Sequence, residues 1–153
     1  MSKEIRQMID EVKNFKQFIN EKYKNVIYYH GTGEKHKTIE ALKNNTFIFH
    51  KSAGVEGGIY LTPSKELAIK YSDIATGNDK GVVEVEITKS PKIKVYKNPK
   101  EHYEDERSYN LYNVKDACLK YREHMLSNGY DGIQTSDDVI MIFKEKINII
   151  KPI

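Results

Sequence analysis

The sequence lacks a second cysteine, a long apolar run and a signal peptide, and each absence excludes a class of protein. Cys118 is the only cysteine among 153 residues, so no intrachain disulfide can form. Its amphipathic surroundings predict a buried small hydrophobe, and no basic pocket around it indicates a reactive thiol. No stretch is long and apolar enough to span a membrane, and the N-terminus has no apolar signal-peptide core. We therefore expect a cytoplasmic protein, in the reducing cytosol of its own cell or of a host cell, with no membrane partner.

Several motifs of common enzymes are also missing. Neither the P-loop nor the glycine-rich dinucleotide fingerprint occurs. No G-x-S-x-G element is present, and turn chemistry explains Ser136 beside Asp137. The histidines share no metal-ligand spacing. They are His30, His36, His50, His102 and His124. The sequence thus indicates neither a metal site nor a conventional nucleotide fold.

The composition is that of one globular domain with a heavily charged surface. Hydrophobic residues make up 39% and charged residues 31% of the chain. A length of 153 residues suits a single domain, 1–153, with a real core. We divide it into an N-terminal helix at 1–25 and a core at 26–153. The net charge is only +3 and the lysines are spread along the chain, so nucleic-acid binding is permitted but not indicated.

Near the N-terminus, apolar residues recur at three- and four-residue spacing, which is typical of a long amphipathic helix over 3–23. They are Ile5, Met8, Ile9, Val12, Phe15, Phe18 and Ile19. We expect this helix to pack across the outside of the domain, and a partner-binding helix is the alternative.

The rest of the chain predicts short strands and short helices, and therefore an α+β fold. Strands are predicted at 26–29, 47–49, 59–61, 82–88, 93–96, 139–143 and 147–150, the last two as a hairpin. Helices are predicted at 37–44, from 62 to 71 and at 114–126. Thr62 is the expected cap of the second helix and Pro63 its first-turn residue. Asn128-Gly129 ends the third by a left-handed cap, and the polar stretch 97–110 shows no clear period.

Two predicted strands end in residues that a small-molecule pocket would use. The run 26–29 stops at His30-Gly31, and Gly58-Ile59-Tyr60 forms the next strand, with glycines that let another surface approach the backbone. Tyr71 follows on the next predicted helix. The rings of Tyr60 and Tyr71 can therefore flank a slot that suits a flat heterocycle such as nicotinamide. A structural histidine and two core tyrosines are the alternative.

The ADP-ribosyltransferases are the family that these motifs resemble. The resemblance rests on Tyr28-Tyr29-His30-Gly31-Thr32, on Gly58-Ile59-Tyr60-Leu61, and on Ala68 with Tyr71. The closer branch is that of diphtheria toxin and the poly(ADP-ribose) polymerases, whose signature is His-Tyr-Glu. The resemblance runs from residue 28 to the C-terminus and implies a split β-sheet core with peripheral helices. The helix at 3–23 and the stretch 97–110 lie outside it.

The resemblance implies NAD-binding roles for five residues. His30 matches the histidine that hydrogen-bonds the adenosine ribose of NAD, and Gly31 the glycine whose backbone holds the nicotinamide amide. Thr32 sits where a small hydroxyl residue supports the pocket. Tyr60 matches the signature tyrosine, and Tyr71 the second ring that stacks on nicotinamide.

Two positions depart from the family pattern. Ala68 stands where the polymerases carry a serine that bonds the carboxamide, so that contact is missing. The family glutamate bonds the ribose 2′-hydroxyl and stabilises oxocarbenium-like charge. In an alignment without gaps, Asp138 matches this glutamate. The implied catalytic set is then Asp138 with His30 and Tyr60. Alignment on Phe143 would instead put Val139 at this position, and valine has no carboxylate to stabilise the charge. The alternative for Asp138 is a residue of a solvated turn.

The sequence gives less information about the acceptor, the molecule to which a transferase of this family attaches ADP-ribose. Glu84 and Glu86 spell the Glu-x-Glu of arginine-directed relatives, but their alternation with valines predicts a solvent-facing edge. Two residues before Asp138 the chain has Ser136 rather than Glu or Gln, so arginine as the acceptor is disfavoured. The run 101–107, which contains Tyr103, is a further place where an acceptor could bind, although a solvated loop is the simpler reading.

The resemblance thus implies a mono-ADP-ribosyltransferase that uses NAD as a substrate and no metal. A macromolecular acceptor is expected, a protein rather than a nucleic acid or a small molecule, by analogy with effectors and toxins. Polymer extension is not expected, because the glutamate that supports it is replaced. The alternatives are a catalytically inactive module that binds NAD or ADP-ribose, an RNA 2′-phosphotransferase, and a nucleic-acid ADP-ribosyltransferase.

Overall fold

A computed structural model describes residues 2–11, 22–46, 57–136 and 138–153 of the protein. Seven strands are described: β1 Ile27–Thr32, β2 Gly58–Leu61, β3 Gly81–Ile87, β4 Ile93–Val95, β5 Gly132–Ser136, β6 Val139–Phe143 and β7 Ile150–Pro152. The helices are α1 at 3–11, α2 Lys35–Asn44, α3 Lys65–Ile74, α4 Pro99–Arg107, α5 Val114–Ser127 and a 3₁₀ helix Lys144–Ile149. The α+β class predicted from the sequence is confirmed.

The described strands form two sheets, whose edges are joined by an isolated bridge between Tyr29 and Thr62. One sheet has the order β1-β3-β7 and the other β2-β6-β5-β4. Pairing is antiparallel except between β4 and β5. At this bridge, Tyr29 N donates to Thr62 O at 2.8 Å and Thr62 N to Tyr29 O at 3.0 Å. The edge strands β1 and β2 are thereby joined, and we call this junction the seam.

Two apolar clusters lie on opposite faces of the second sheet. Cluster 1 joins this sheet to the first one, and cluster 2 lies beneath α5. Cluster 1 includes Tyr28, Val83, Val85, Ile87, Ile59, Leu61, Ile140 and Ile142. Cluster 2 consists of Tyr96, Tyr121, Met125, Ile133, Met141 and Phe143. Strand β6 contributes Ile140 and Ile142 to cluster 1 and Met141 and Phe143 to cluster 2, because successive side chains of a strand point to opposite faces.

The alternating pattern of β3 is confirmed, but the strand is not an edge. Val83, Val85 and Ile87 are buried whereas Glu84 and Glu86 are exposed. The strand lies between β1 and β7. The two glutamates therefore occupy the solvent face of a central strand.

The helix after β2 begins later than predicted. Its cap is Ser64, whose hydroxyl accepts a hydrogen bond from Leu67 N at 3.2 Å. Thr62, the predicted cap, accepts instead from Ser64 N at 3.0 Å, because its main chain is already paired with Tyr29 at the seam. Strand pairing of Thr62 thus moved the helix start to the next hydroxyl residue.

Two further predictions about the C-terminal half are wrong. The stretch 97–110 contains α4, which is capped by Asn98 with Pro99 in its first turn. The predicted strand 147–150 is mostly the end of the 3₁₀ helix, and β7 then pairs with β3 in the other sheet. The predicted hairpin with β6 is therefore absent, because the 3₁₀ helix carries the chain from one sheet to the other.

The N-terminal helix prediction is confirmed for 3–11, where the described apolar side chains are exposed, and residues 12–21 of the predicted helix lie outside the described residues. The exposed side chains are those of Ile5, Met8 and Ile9. Residues 22–25 form a turn rather than helix, and within it Tyr23 is buried with its hydroxyl donating to Gln134 Oε1 at 2.6 Å. The predicted strand 47–49 and most of the loop predicted at 51–57 lie outside the described residues. Across the described chain, no helix has the length and apolar character needed to cross a bilayer.

Candidate functional site

His30 is the residue around which the candidate site forms. It lies within β1 rather than beyond its end, because the strand continues to Thr32 opposite β3. Its Nδ1 lies 2.8 Å from the main-chain oxygen of Tyr60. A carbonyl can only accept, so Nδ1 carries the proton of this hydrogen bond, and in a neutral ring Nε2 is then the accepting nitrogen. The hydrogen bond ties the histidine of β1 to the tyrosine of β2 beside the seam.

The residues next to the seam share one face. Tyr29 pairs with Thr62 across the seam, and alternation along each strand puts Gly31 and Tyr60 on the same side as this pair. We call the surface formed by Tyr29, Gly31, Tyr60 and Thr62 the Tyr60 face. His30 and Leu61 alternate to the opposite side, toward cluster 1.

Helix α3 lies directly on Gly31. A Cβ atom at this position would collide with the carbonyl oxygen of Ala68 and would come within 2.8 Å of Ser72 N. It would also lie 3.0 Å from the Cβ of Tyr71. Glycine is therefore needed for the close approach of α3, and this approach places Tyr71 beside the Tyr60 face.

Tyr60 and Tyr71 differ in their surroundings. Tyr60 is partly buried and packs against cluster 2. Burial, followed by the charge of Glu106, raises the pKa of Tyr60. Tyr71 has 40% of its surface exposed. The tyrosines predicted to flank a slot are thus brought near each other, one inside and one at the surface, and Tyr71 is not a core tyrosine.

Thr32 contributes to the turn that follows β1. Its side chain is buried, with Oγ1 accepting from Glu34 N at 3.1 Å and lying 3.1 Å from Thr38 Oγ1. These hydrogen bonds connect β1 to the first turn of α2. The hydroxyl that was predicted to support the pocket is therefore hydrogen-bonded on the α2 side of the strand.

Asp138 lies in the turn before β6 and is exposed. In the β2–β6 pairing Tyr60 is opposite Met141, so Val139, Met141 and Phe143 alternate onto the Tyr60 face. Asp138 is one residue before Val139, so the same alternation directs it away from the Tyr60 face. Of the two positions that the sequence offers for the family glutamate, Val139 therefore occupies the strand position on the Tyr60 face, and Asp138 is a turn residue next to it.

The sequence reasoning missed another carboxylate, that of Glu106 on α4, whose charge contributes to the raised pKa of Tyr60. Glu106 Oε1 accepts a hydrogen bond from Cys118 Sγ at 2.9 Å, and Oε2 lies 3.2 Å from His102 Nε2. Burial alone would raise the pKa of Glu106, but the contacts with His102 and Cys118, together with the charge of Arg107, hold it below its usual range. Glu106 is therefore ionised at neutral pH.

Cys118 acts as a hydrogen-bond donor rather than a nucleophile. The residue is buried, as predicted. Burial and the neighbouring charge of Glu106 raise the pKa of Cys118 to about 12. Because a thiolate is required for nucleophilic attack, the protonated thiol is suited only to holding the carboxylate.

Aromatic residues fix α4 against α5 and β4. The Tyr96 hydroxyl donates to Asp105 Oδ2 at 2.6 Å and lies 2.6 Å from the Tyr121 hydroxyl. The His102 ring is 5.2 Å from the Tyr96 ring and 5.7 Å from the Tyr121 ring, centre to centre. Burial raises the pKa of both tyrosines, so they remain neutral. This packing determines where Glu106 points.

A sequence signal for α4 was present. Asn98-Pro99, followed by Glu101, is a typical helix start with an amide cap and a proline in the first turn. His102 and Glu106 are four residues apart and so share one face of a helix. The contact between Glu106 and Cys118, however, joins two helices and has no local signal.

A cleft of about 530 Å³ lies elsewhere, between α2, α3 and β3. Lys35, Lys65 and Glu84 are among the residues around it. None of the predicted site residues lines it, although Val82 and Val83 in its wall pair with Gly31 and His30. Within 2–11, 22–46, 57–136 and 138–153, no three or more histidine, cysteine or carboxylate side chains are grouped to hold a metal ion.

Comparison with known proteins does not assign a family. No protein-family model matches the chain, and no curated protein matches it. Function has to be inferred from the residues and their geometry.

Proposed function

We propose that the protein is an NAD-dependent mono-ADP-ribosyltransferase with the split-sheet fold of that family. The observation that carries the proposal is the hydrogen bond of 2.8 Å between His30 Nδ1 and Tyr60 O. It couples the histidine of the His-Gly-Thr motif to the tyrosine of the Gly-Ile-Tyr motif, where two sheet edges meet. The resemblance assigns these residues to the binding of one NAD molecule, which requires them to be adjacent.

NAD would bind in a bent form across the seam. Nicotinamide would lie against the backbone of Gly31 between the rings of Tyr60 and Tyr71, which supply stacking and apolar contact. His30, which is tied to Tyr60 O by its hydrogen bond, is the residue that the resemblance assigns to the adenosine ribose. Binding both substrates side by side supplies proximity for the transfer.

The reaction breaks the bond between the ribose C1′ and the nicotinamide N1. The electron pair of this bond goes to N1, which neutralises the pyridinium ring, and a lone pair of the acceptor forms the new bond to C1′. The acceptor proton is released to solvent. Positive charge develops on the ribose during this step, and a nearby carboxylate stabilises it; Asp138, in the turn beside the seam, is the residue proposed for this role. We propose a protein as the acceptor.

A catalytically inactive module for NAD or ADP-ribose is the second candidate. It is favoured by one observation, the exposed position of Asp138 in a turn, off the Tyr60 face. In such a module NAD binds at His30, Tyr60 and Tyr71, but nicotinamide is never released.

The two candidates differ in a single assay. The purified protein is incubated with NAD labelled in the nicotinamide or in the adenylate, with and without cell lysate, beside the variants His30→Ala and Tyr60→Ala. A transferase releases nicotinamide and moves the adenylate label to a lysate protein, and both variants lose this activity through weaker NAD binding. NAD binding without nicotinamide release under any condition supports the binding module. If NAD does not bind at all, both candidates are wrong.

A further inference from the structure

The cleft between α2, α3 and β3 has the size of a small-molecule site. Its volume is about 530 Å³, and ligand pockets span roughly 300–1,000 Å³. Part of its wall is apolar, because Ile39 of α2, Ile69 of α3 and Val82 of β3 line it. Ile69 has 43% of its surface exposed, so this wall is accessible from the cleft. Covering it with the apolar body of a ligand is favourable.

Two lysines of the cleft have no counter-ion. Lys35 is the first residue of α2 and Lys65 the first residue of α3, and both line the cleft. In the part of the chain that the structure describes, neither ammonium group forms an ion pair or a hydrogen bond. Lys35 acts only at longer range, where its charge adds to the hydrogen bonds from His36 that lower the pKa of Asp79. Both ammonium groups are therefore available to an anion that enters the cleft.

The stem of Lys35 lies over β3. A Cβ atom on Gly81 would be 2.8 Å from Lys35 Cδ and 3.5 Å from Lys35 Cβ, so the aliphatic part of the lysine covers this glycine. Gly81 also lines the cleft. A lysine packed in this way adds apolar surface to a site and ends in a positive charge. Lys35 thus supplies both of the properties that an apolar anion requires.

The ionisable side chains that line the cleft indicate the charge of its ligand. They are Lys35, Lys65 and Glu84, two positive charges and one negative charge, which leaves a net charge of +1. A ligand with one negative charge complements this set, and the apolar wall favours a ligand with an apolar body.

We propose that the cleft binds a small apolar carboxylate, a molecule with one carboxylate group on an aliphatic or aromatic body. The two lysines attract the carboxylate, and Ile39, Ile69 and Val82 contact the body. A free small molecule is the occupant rather than a membrane surface, because the site is a cleft between two helices and a strand. The inference does not depend on the proposed function, since none of the residues assigned to NAD lines the cleft.

Three probes separate the charge of the ligand from its apolar body. Octanoate has both, octanamide has the body without the charge, and acetate has the charge without the body. By isothermal titration calorimetry we expect saturable binding of octanoate, about fivefold weaker binding of octanamide, and no measurable binding of acetate. The amide NMR signals that shift with octanoate should include those of Ile69 and Val82. Equal affinity for octanoate and octanamide, or no saturable binding of octanoate, overturns the proposal.

A pair of double variants tests the lysines. Lys35→Met with Lys65→Gln removes both charges of the cleft and keeps an apolar stem over Gly81, and it is expected to bind octanoate and octanamide equally. Lys37→Gln with Lys70→Gln is the matched control, because these lysines are exposed on the same two helices and do not line the cleft. The control should keep the fivefold preference. Since both variants lose two positive charges, an equal loss of preference in the two would show a general effect of charge and overturn the site.

The apolar wall is tested at Ile69. Ile69→Gln should weaken octanoate and octanamide alike, by at least about threefold. Ile74→Gln is the control, at an isoleucine of the same helix that is 81% exposed and does not line the cleft, and it should bind both probes as the wild type does. Unchanged binding in Ile69→Gln overturns the assignment to this cleft.

Two further measurements identify a different occupant. Sedimentation with phosphatidylglycerol vesicles, if it depends on Lys35 and Lys65 while octanoate does not bind, would make this face a membrane contact and overturn the small-molecule site. Competition between NAD and octanoate would assign the cleft to NAD and overturn it as well. Octanoate binding that NAD does not displace supports the proposal, whether or not the protein transfers ADP-ribose.

Discussion

Gly31 and Ala68 approach so closely that no side chain fits between strand β1 and helix α3. A methyl group on Gly31 would collide with the carbonyl oxygen of Ala68, which is main chain and cannot rotate away. We expect Gly31→Ala to lower the free energy of unfolding by about 1–3 kcal/mol, and to weaken NAD binding by displacing α3 and Tyr71. Urea unfolding and NAD titration measure the two effects.

Gly81→Ala is the control for this change. The new methyl group on β3 would meet Lys35 Cδ at 2.8 Å, and a lysine side chain can move. The control is expected to change stability by less than about 1 kcal/mol and to leave NAD binding intact. Equal effects of the two substitutions would show that Gly31 has no special role.

Tyr71 provides a test of NAD binding that is largely free of stability effects. Its ring is 40% exposed, so Tyr71→Ala should change the unfolding free energy by less than about 1 kcal/mol. Loss of one stacking ring should weaken NAD binding about tenfold. Tyr112→Ala, at a tyrosine that is 98% exposed, should leave NAD affinity unchanged in the same calorimetric titration. Unaltered NAD affinity in Tyr71→Ala would remove Tyr71 from the site.

Asp138 is expected to affect turnover and not binding. The residue is exposed in a turn, so Asp138→Ala should keep the wild-type melting temperature and NAD affinity. If its carboxylate stabilises the developing ribose charge, nicotinamide release should fall about 100-fold. Asp73→Ala removes another exposed carboxylate, at the end of α3, and should be fully active. Full activity of Asp138→Ala would show that the gap-free match to the family glutamate is wrong.

Because the pKa of Glu106 is lowered in the folded protein, the free energy of unfolding should depend on pH. Because the contacts with His102 and Cys118 outweigh the effect of burial and hold the folded-state pKa below the unfolded value, Glu106 contributes stability above its unfolded pKa. That stability is lost as the pH falls through the folded-state value. Glu106→Gln should therefore be less stable than wild type by about 1–3 kcal/mol at pH 7, with the difference shrinking below about pH 4. Urea unfolding of both proteins across this range measures it, and a difference independent of pH would contradict an ionised Glu106.

Cys118 should be unreactive in the folded protein. Its thiol is buried and hydrogen-bonded to Glu106, and burial together with that charge raises its pKa to about 12. Alkylation by iodoacetamide at pH 8 should be at least about 100-fold slower in the native than in the unfolded protein, because almost no thiolate is present. Mass spectrometry follows the reaction without ambiguity, since the chain has one cysteine. Rapid native labelling would show that the α4–α5 contact opens.

Local patterns predicted much of the secondary structure. Alternation identified β3 with buried Val83 and Val85, and helical periodicity identified α5 up to the left-handed Gly129. The motifs containing His30, Tyr60 and Tyr71 selected residues that the fold places close together. These signals are local because burial on one face of a strand or helix repeats with the period of its backbone.

Sheet partners could not be predicted in the same way. The residues 147–150 have an apolar pattern that suits a strand, but the choice between pairing with β6 and entering the other sheet depends on β3, far away in the chain. Thr62 has the chemistry of a helix cap, yet its pairing with Tyr29 gave that role to Ser64. In both cases a tertiary hydrogen bond outweighed a local preference.

The sequence by itself determined the α+β class, because composition and periodicity are properties of neighbouring residues, and the resemblance carried by its short motifs named the histidine and tyrosines that the proposed NAD site would use. Only the tertiary structure decided where the carboxylates of Asp138 and Glu106 lie. Strand parity placed Val139 rather than Asp138 on the Tyr60 face, and packing of α4 on α5 brought Glu106 to Cys118. Such contacts join residues that are distant in the chain, and they are set by the packing of whole elements.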